Sequence, residues 1–155
     1  MTDAKPCCHD YYSVCDVLQR KTICGIESTD PRTTLRDAAV HMLSAGVGSL
    51  IVLEGGKLTG ILTERDVVRM VRDVDDVKSQ LVHQAMTREV YCCGNDVSVD
   101  EVAELMRVRR VRHMPVVDAN EDIIGVVSIG DINAHRVGQC EIVLNQLEHY
   151  VYRRV

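Results

Sequence analysis

The sequence predicts an α/β fold built from two copies of a helix-strand-strand-helix unit, closed by a C-terminal helix. Three observations lead there. Segments recur about 64 residues apart: Thr34-Leu35-Arg36-Asp37-Ala38-Ala39-Val40-His41-Met42 returns as Ser98-Val99-Asp100-Glu101-Val102-Ala103-Glu104-Leu105-Met106, and Leu58-Thr59-Gly60-Ile61-Leu62-Thr63-Glu64-Arg65-Asp66-Val67 returns as Ile123-Ile124-Gly125-Val126-Val127-Ser128-Ile129-Gly130-Asp131-Ile132. Within each copy the apolar pattern changes from helical spacing to short continuous runs. Both copies also open on a capping pattern at the same place. A duplicated unit packs against its copy and forms related clefts at the join, so function is sought there.

Residues 12–18 read as a short lead-in helix, and Lys21-Thr22-Ile23-Cys24-Gly25-Ile26 as an extended segment. In repeat one, Leu35, Ala38, Ala39, Met42 and Leu43 form a stripe along one helix face; Val99, Val102, Ala103 and Met106 repeat it. Ser98 followed by Glu101 is a capping box, and Thr34 with Asp37 is its looser counterpart. Two β-rich runs follow each helix: 50–53 and 58–62 about Glu54-Gly55-Gly56-Lys57, then 114–117 and 123–127 about Asp118-Ala119-Asn120-Glu121-Asp122. They are mostly continuous apolar runs rather than alternating ones, as expected for strands covered on both faces. Second helices start near Thr63 and Ser128. Val137, Cys140, Leu144, Leu147 and Val151 then form a coiled-coil-like seam over two heptads, which suits either a helix docked on its own sheet or a dimer contact. The expected organisation is a flexible tail over 1–11, repeat one over 12–80, repeat two over 81–136 and a terminal helix over 137–155.

With 155 residues, the two small units are expected to share a core, since about 60 residues alone bury too little surface. No apolar run approaches the ~20 residues of a membrane helix, and the N-terminus lacks a signal-peptide pattern, so no membrane association and a cytoplasmic location are expected. A net charge of −5, with no Trp or Phe, argues against nucleic acid despite the local cluster Arg107, Arg109, Arg110 and Arg112. Seven cysteines with no framework spacing read as reduced thiols. Cys7, Cys8 and His9 have soft and imidazole donors, but adjacent side chains rarely converge on one ion, so no metal is expected. Phosphate-loop, nucleophile-elbow and zinc-protease motifs are absent, and the chain is not read as an enzyme.

The chemistry-bearing residues are those that recur at the strand-to-helix turns: Thr63 with Asp66, and Ser128 with Asp131. A hydroxyl and free amides at a helix start favour phosphate, and a carboxylate one turn later suits ribose hydroxyls. The same spacing also serves as a simple structural cap. The doubled signature, Gly60-Ile61-Leu62-Thr63-Glu64-Arg65-Asp66 and Gly125-Val126-Val127-Ser128-Ile129-Gly130-Asp131, resembles that of the cystathionine β-synthase (CBS) domain family over residues 12–136. With Arg112-His113-Met114-Pro115-Val116-Val117-Asp118 and a long last helix, the chain is similar to stand-alone two-repeat CBS proteins and to the accessory module of IMP dehydrogenase.

That resemblance implies two repeats packed through their sheets and an adenosine-containing regulatory ligand: AMP, ADP or ATP, with NAD(H) or S-adenosylmethionine as alternatives. It places adenine in an apolar slot, ribose on the motif Asp and phosphate on the hydroxyl and basic groups. By position, the main cleft takes Arg112, His113, Val126, Ser128 and Asp131 from repeat two, and Thr33, Ala38 and Leu50 from repeat one. The second cleft takes Thr63 and Asp66, with Val102 and Met114 across the join, and lacks a basic pair because Gly48 and Ser49 stand where the other copy has Arg112 and His113. A homodimer is expected, joined through the helix face of Val67, Val68, Met70 and Val71 or through the terminal seam, with a regulated enzyme or transporter as further partner. A ligand-independent dimerisation or interaction scaffold is the alternative.

Overall fold

The computed structural model describes residues 12–21 and 25–151, and the side chains of all of these except 139 and 142–151. The 1–11 tail with Cys7, Cys8 and His9 lies outside the described residues, as do 22–24 of the expected extended segment. In chain order the elements are α1 (Val14–Gln19), β1 (Ser28–Thr29), α2 (Leu35–Ala45), β2 (Ser49–Glu54), β3 (Lys57–Thr63), α3 (Glu64–Asp73), α4 (Val82–Ala85), β4 (Cys93–Gly94), α5 (Val99–Arg109), β5 (His113–Val117), β6 (Ile123–Ser128) and α6 (Ile129–Val151).

Each repeat forms its own three-stranded sheet, β1-β2-β3 and β4-β5-β6. The hairpins are antiparallel, and the short strand before each helix adds parallel to the hairpin. That third strand is only two residues long, too short for a periodic signal. The register shift recurs at the same place, between Val52 and Leu53 and between Val116 and Val117. The helix starts are capped as the spacing predicts, with Asp37 N–H donating to Thr34 Oγ1 at 3.1 Å and Glu101 N–H to Ser98 Oγ at 3.1 Å.

The hydrophobic interior falls into two clusters. Leu35, Ala38, Met42, Leu50, Val52 and Leu62 fill repeat one, and Val99, Val102, Met106, Met114, Val116 and Val127 fill repeat two. The lead-in helix α1 belongs to the second cluster although it precedes the first repeat: Val14 and Val17 are buried with Val99 and Met114. Its backbone is stitched there by Val14 N–H to Val97 O and Val99 N–H to Tyr12 O. The short α4 does the same for repeat one, with Val82 and Met86 in that cluster and bonds from Leu35 N–H to Gln80 O and from Val82 N–H to Thr33 O. Each core is thus completed by a helix from the preceding linker.

This closure bears on the glycine in each signature. A Cβ at Gly60 would lie 2.8 Å from Met86 Sδ and 2.9 Å from the Thr87 carbonyl oxygen; one at Gly125 would lie 3.0 Å from Leu18 Cδ2. At Gly60 the backbone just after α4 passes too near the strand for a side chain, whereas at Gly125 only the movable Leu18 side chain of α1 stands close.

The expected terminal helix is not a separate element. α6 runs unbroken from Ile129 through Gly138 to Val151, so repeat two's second helix and the 137–151 segment are one rod. Cys140 is exposed, while the Leu144, Leu147 and Val151 side chains lie outside those described. On α3, Val68 and Val71 are exposed, but Val67 and Met70 pack on the repeat-one cluster. Among the described residues no helix is long and apolar enough to cross a membrane.

Candidate functional site

Both strand-to-helix turns fold the signature into the same local arrangement. Asp131 Oδ2 accepts from Ser128 N–H at 2.7 Å and Ser128 Oγ at 2.7 Å, and Asp131 N–H returns a bond to Ser128 Oγ at 3.2 Å. Asp66 Oδ2 accepts from Thr63 N–H at 2.9 Å and Thr63 Oγ1 at 2.7 Å. The capping reading holds at both turns, and in each the bonds of the turn use one carboxylate oxygen, Oδ2. On Asp66 the other oxygen, Oδ1, meets Arg69 at 3.3 Å. On Asp131 the turn's own oxygen also takes Lys21 Nζ at 2.9 Å, while Lys21 donates to Val126 O at 2.8 Å. Burial alone would raise the Asp131 carboxyl, but the Ser128 hydroxyl, Lys21 and the Ser128 amide outweigh it and hold it below the ordinary carboxylate value.

Each turn opens into its own cleft. The repeat-two cleft, about 160 Å³, brings together His113, Val126, Ser128 and Asp131 with Lys21 and Glu27. The repeat-one cleft, about 200 Å³, has Thr63 and Asp66 with Arg65, Arg69, Arg110 and Arg112. Arg112 thus stands in the opposite cleft from the one expected. Each helix-to-strand turn is bonded by its backbone to the strand-to-helix turn of its own repeat, Glu64 N–H to Gly48 O at 3.1 Å and Ile129 N–H to Arg112 O at 2.9 Å, while residues 110–113 also line the cleft of Thr63 and residues 46–49 that of Ser128. Arg65 Nη1–H donates across this join to Arg110 O at 3.2 Å.

His113 lines both clefts. It does so because Gly48 leaves room, since a Cβ there would sit 3.1 Å from His113 Nε2. Burial, with the positive charge of Arg112 second, lowers the His113 pKa and favours the neutral ring. Gly48, read from sequence with Ser49 as a missing basic group, instead gives the space into which the other copy's histidine fits.

Four expected contacts are not in either described cleft. Ala38 and Leu50 are fully buried in the repeat-one cluster, and Val102 and Met114 in that of repeat two. Their apolar character serves the core. Thr33 also lies outside both, its backbone joining α4 to the start of α2. Sequence reasoning missed Lys21, Arg65, Arg69 and Arg110. A signal was present: Arg65 and Arg69 lie one helical turn apart where the other copy has Gly130 and Ala134.

The consequence is a charge contrast. The repeat-one cleft sets four arginines against Asp66 and Glu89, whereas the other sets Lys21 against Glu27 and Asp131. Arg110 is held at φ 55° in the left-handed region, where the matching helix end uses Gly46 at φ 67°. A side chain at such a position costs backbone energy, and here it supplies one of the four guanidinium groups.

Compared with known families, residues 14–73 and 77–138 each match the model of the CBS domain. The chain belongs to the CBS domain family. Its two repeats superpose on the CBS-domain containing protein ATU1752 from Agrobacterium tumefaciens with a TM-score of 0.76 and 32% identity, covering 81% of this chain and 99% of that one. The CBS domain pair of protein MJ0100, solved in complex with 5′-methylthioadenosine and S-adenosyl-L-methionine, gives a TM-score of 0.73 at 25% identity over 83% of this chain and 98% of that one. The 17.7 kDa protein of the bps2 3′ region of Acidianus ambivalens is 33% identical over 105 residues, 66% of this chain, which spans 62% of that protein's length.

Proposed function

We propose that this CBS pair is a non-catalytic regulatory module whose two clefts take adenosine-containing ligands of different tail charge. The repeat-one cleft is the phosphate-bearing site, suited to AMP, ADP or ATP. Ribose hydroxyls donate to Asp66 as Arg69 shifts to the phosphate, and Arg65, Arg110 and Arg112 hold the remaining phosphate charge. The single observation carrying this is the set of four arginines around Thr63 and Asp66. Charge-assisted bonds from arginine are among the strongest available to a phosphate.

In the repeat-two cleft Lys21 is already engaged by Asp131, and Glu27 adds negative charge. This balance favours an uncharged or cationic tail, and 5′-methylthioadenosine and S-adenosyl-L-methionine, the ligands of the MJ0100 pair, have such tails. Ligand occupancy biases how the two repeats sit across the Gly48–His113 and Arg65–Arg110 contacts, and a partner enzyme or transporter reads that bias.

The module works as a homodimer joined through its helix faces, where Val40, Leu43, Val68 and Val71 are exposed. These exposed side chains are also what a ligand-independent scaffold would use. A thermal-shift panel of AMP, ATP, 5′-methylthioadenosine and S-adenosyl-L-methionine separates the readings. A ligand at 100 times its Kd adds about 2.7 kcal/mol of stability. AMP stabilisation is expected to vanish in Asp66→Asn and persist in Asp131→Asn. No shift with any of the four compounds overturns the ligand-binding reading and leaves the scaffold.

A further inference from the structure

A third cavity lies between α1 and α6, and at about 390 Å³ it is larger than either cleft. Arg20, Lys21, Asp131, His135 and Gly138 form its wall. Its size falls in the range of small-molecule pockets. Two features of the wall stand out.

His135 is 8% exposed, and neither ring nitrogen has a hydrogen-bond partner among the described residues. The ring stacks edge-on against Tyr12, with centroids 5.0 Å apart. A buried imidazole left unpaired forfeits free energy that a bound group can return. Gly138, one turn along α6, has open space where its side chain would be: a Cβ there meets nothing within 4 Å. A glycine inside a helix costs about 1 kcal/mol relative to alanine, and here it keeps the cavity open.

The charges indicate what enters. Arg20 makes no hydrogen bond or ion pair through its guanidinium among the described residues, although Asp16 lies near enough to feel its field. Lys21 and Asp131 satisfy one another across the wall shared with the repeat-two cleft. Asp16 is turned away into its bonds with the Ser13 hydroxyl and amide. Beside the Lys21–Asp131 pair, the wall presents the Arg20 guanidinium and the His135 ring.

We propose that this cavity is a separate site for a small oxyanion-bearing molecule, a carboxylate or a phosphate. The Arg20 guanidinium binds the oxyanion, and the His135 ring, turning about its Cβ–Cγ bond, presents an N–H to it. The site does not depend on the adenosine reading of the two clefts.

The test is an NMR titration of the full-length chain with sodium phosphate and, separately, sodium acetate, against sodium chloride at equal ionic strength. The readout is the ring signal of His135, identified by its absence in His135→Gln. A saturable shift of that signal is expected with at least one of the two anions and not with chloride; phosphate alone or both then identifies the oxyanion class. Arg20→Ala should weaken the binding about tenfold or more, the worth of one charged hydrogen bond. Gly138→Leu, which fills open space and favours the helix, should abolish the shift. Arg112→Ala, on the repeat-one cleft, should leave it unchanged. No saturable shift with either anion, or a shift that survives Gly138→Leu, overturns the proposal.

Discussion

The two signature glycines are matched in sequence but not in what they touch, and substituting each with alanine should separate them. At Gly60 the new Cβ would meet Met86 Sδ at 2.8 Å, the movable end of a side chain, and the Thr87 carbonyl at 2.9 Å, which is backbone. That carbonyl accepts from Ile61 N–H at 2.9 Å, and Thr87 N–H donates to Ile61 O at 2.9 Å, so the linker cannot retreat without losing this pair. At Gly125 all three near atoms belong to the Leu18 side chain, the closest at 3.0 Å. Overpacking costs about 1–3 kcal/mol, and each backbone bond about 1 kcal/mol net, while replacing glycine returns about 0.4–1 kcal/mol through the unfolded chain. Gly60→Ala should therefore cost roughly 2 kcal/mol and Gly125→Ala roughly 0–1 kcal/mol. In a chain of this size the first corresponds to a fall in Tm of about 4–8 °C. Urea unfolding gives both values, and adding Met86→Ala to Gly60→Ala should restore little because the carbonyl remains. Equal costs at the two glycines, or full rescue by Met86→Ala, would refute the reasoning.

Three further outcomes follow from the charges and exposed faces. Asp131 has its carboxyl depressed, so it contributes stability that is present above the ordinary carboxylate range near pH 4 and lost as pH falls through its lower folded value. Lys21→Ala should raise the Asp131 carboxyl toward its ordinary value and shrink that acid-sensitive contribution, as read by carboxyl NMR titration and acid unfolding. Arg112→Ala removes a positive charge that adds to burial in lowering the His113 pKa, so that pKa should rise but stay below the ordinary value near 6.5, because burial remains. Imidazole NMR titration checks this, and an unmoved pKa would show that Arg112 does not act on the ring. Finally, Val68→Glu with Val71→Glu places charge on an exposed apolar helix face and should shift a dimer toward monomer in sedimentation with the helical content kept. A double variant that sediments like the parent would show that α3 is not the contact.

The duplication, four long elements per repeat and the helix caps were legible because they rest on local periodicity and on hydroxyl-to-carboxylate spacing. The two-residue strands β1 and β4 were not, since two residues have no period. The closing role of α1 and α4 was hidden for another reason: Val14 and Val82 reach across tens of residues, and nothing in a four-residue helix such as α4 marks which sheet it covers. At the site, the capping bonds of Thr63 with Asp66 and of Ser128 with Asp131 were legible from their spacing. The cleft to which Arg112 belongs was not, because a sequence repeat defines each unit but not which turns face one another across the join. Ala38, Leu50, Val102 and Met114 show the related limit that an apolar residue looks the same whether it lines a ligand slot or fills a core.

The proposed function rests on the arginines of the repeat-one cleft holding a phosphate. Its most direct measurement is calorimetric titration of AMP and of 5′-methylthioadenosine into the parent chain and into Arg110→Gly with Arg112→Ala. Glycine suits the left-handed backbone at 110, so stability should be unchanged or raised by up to about 1 kcal/mol. AMP affinity should nevertheless fall tenfold or more, from the loss of charged hydrogen bonds, while 5′-methylthioadenosine affinity changes less than threefold. AMP binding as tight in the double variant as in the parent, or an equal loss for both ligands, would contradict the account.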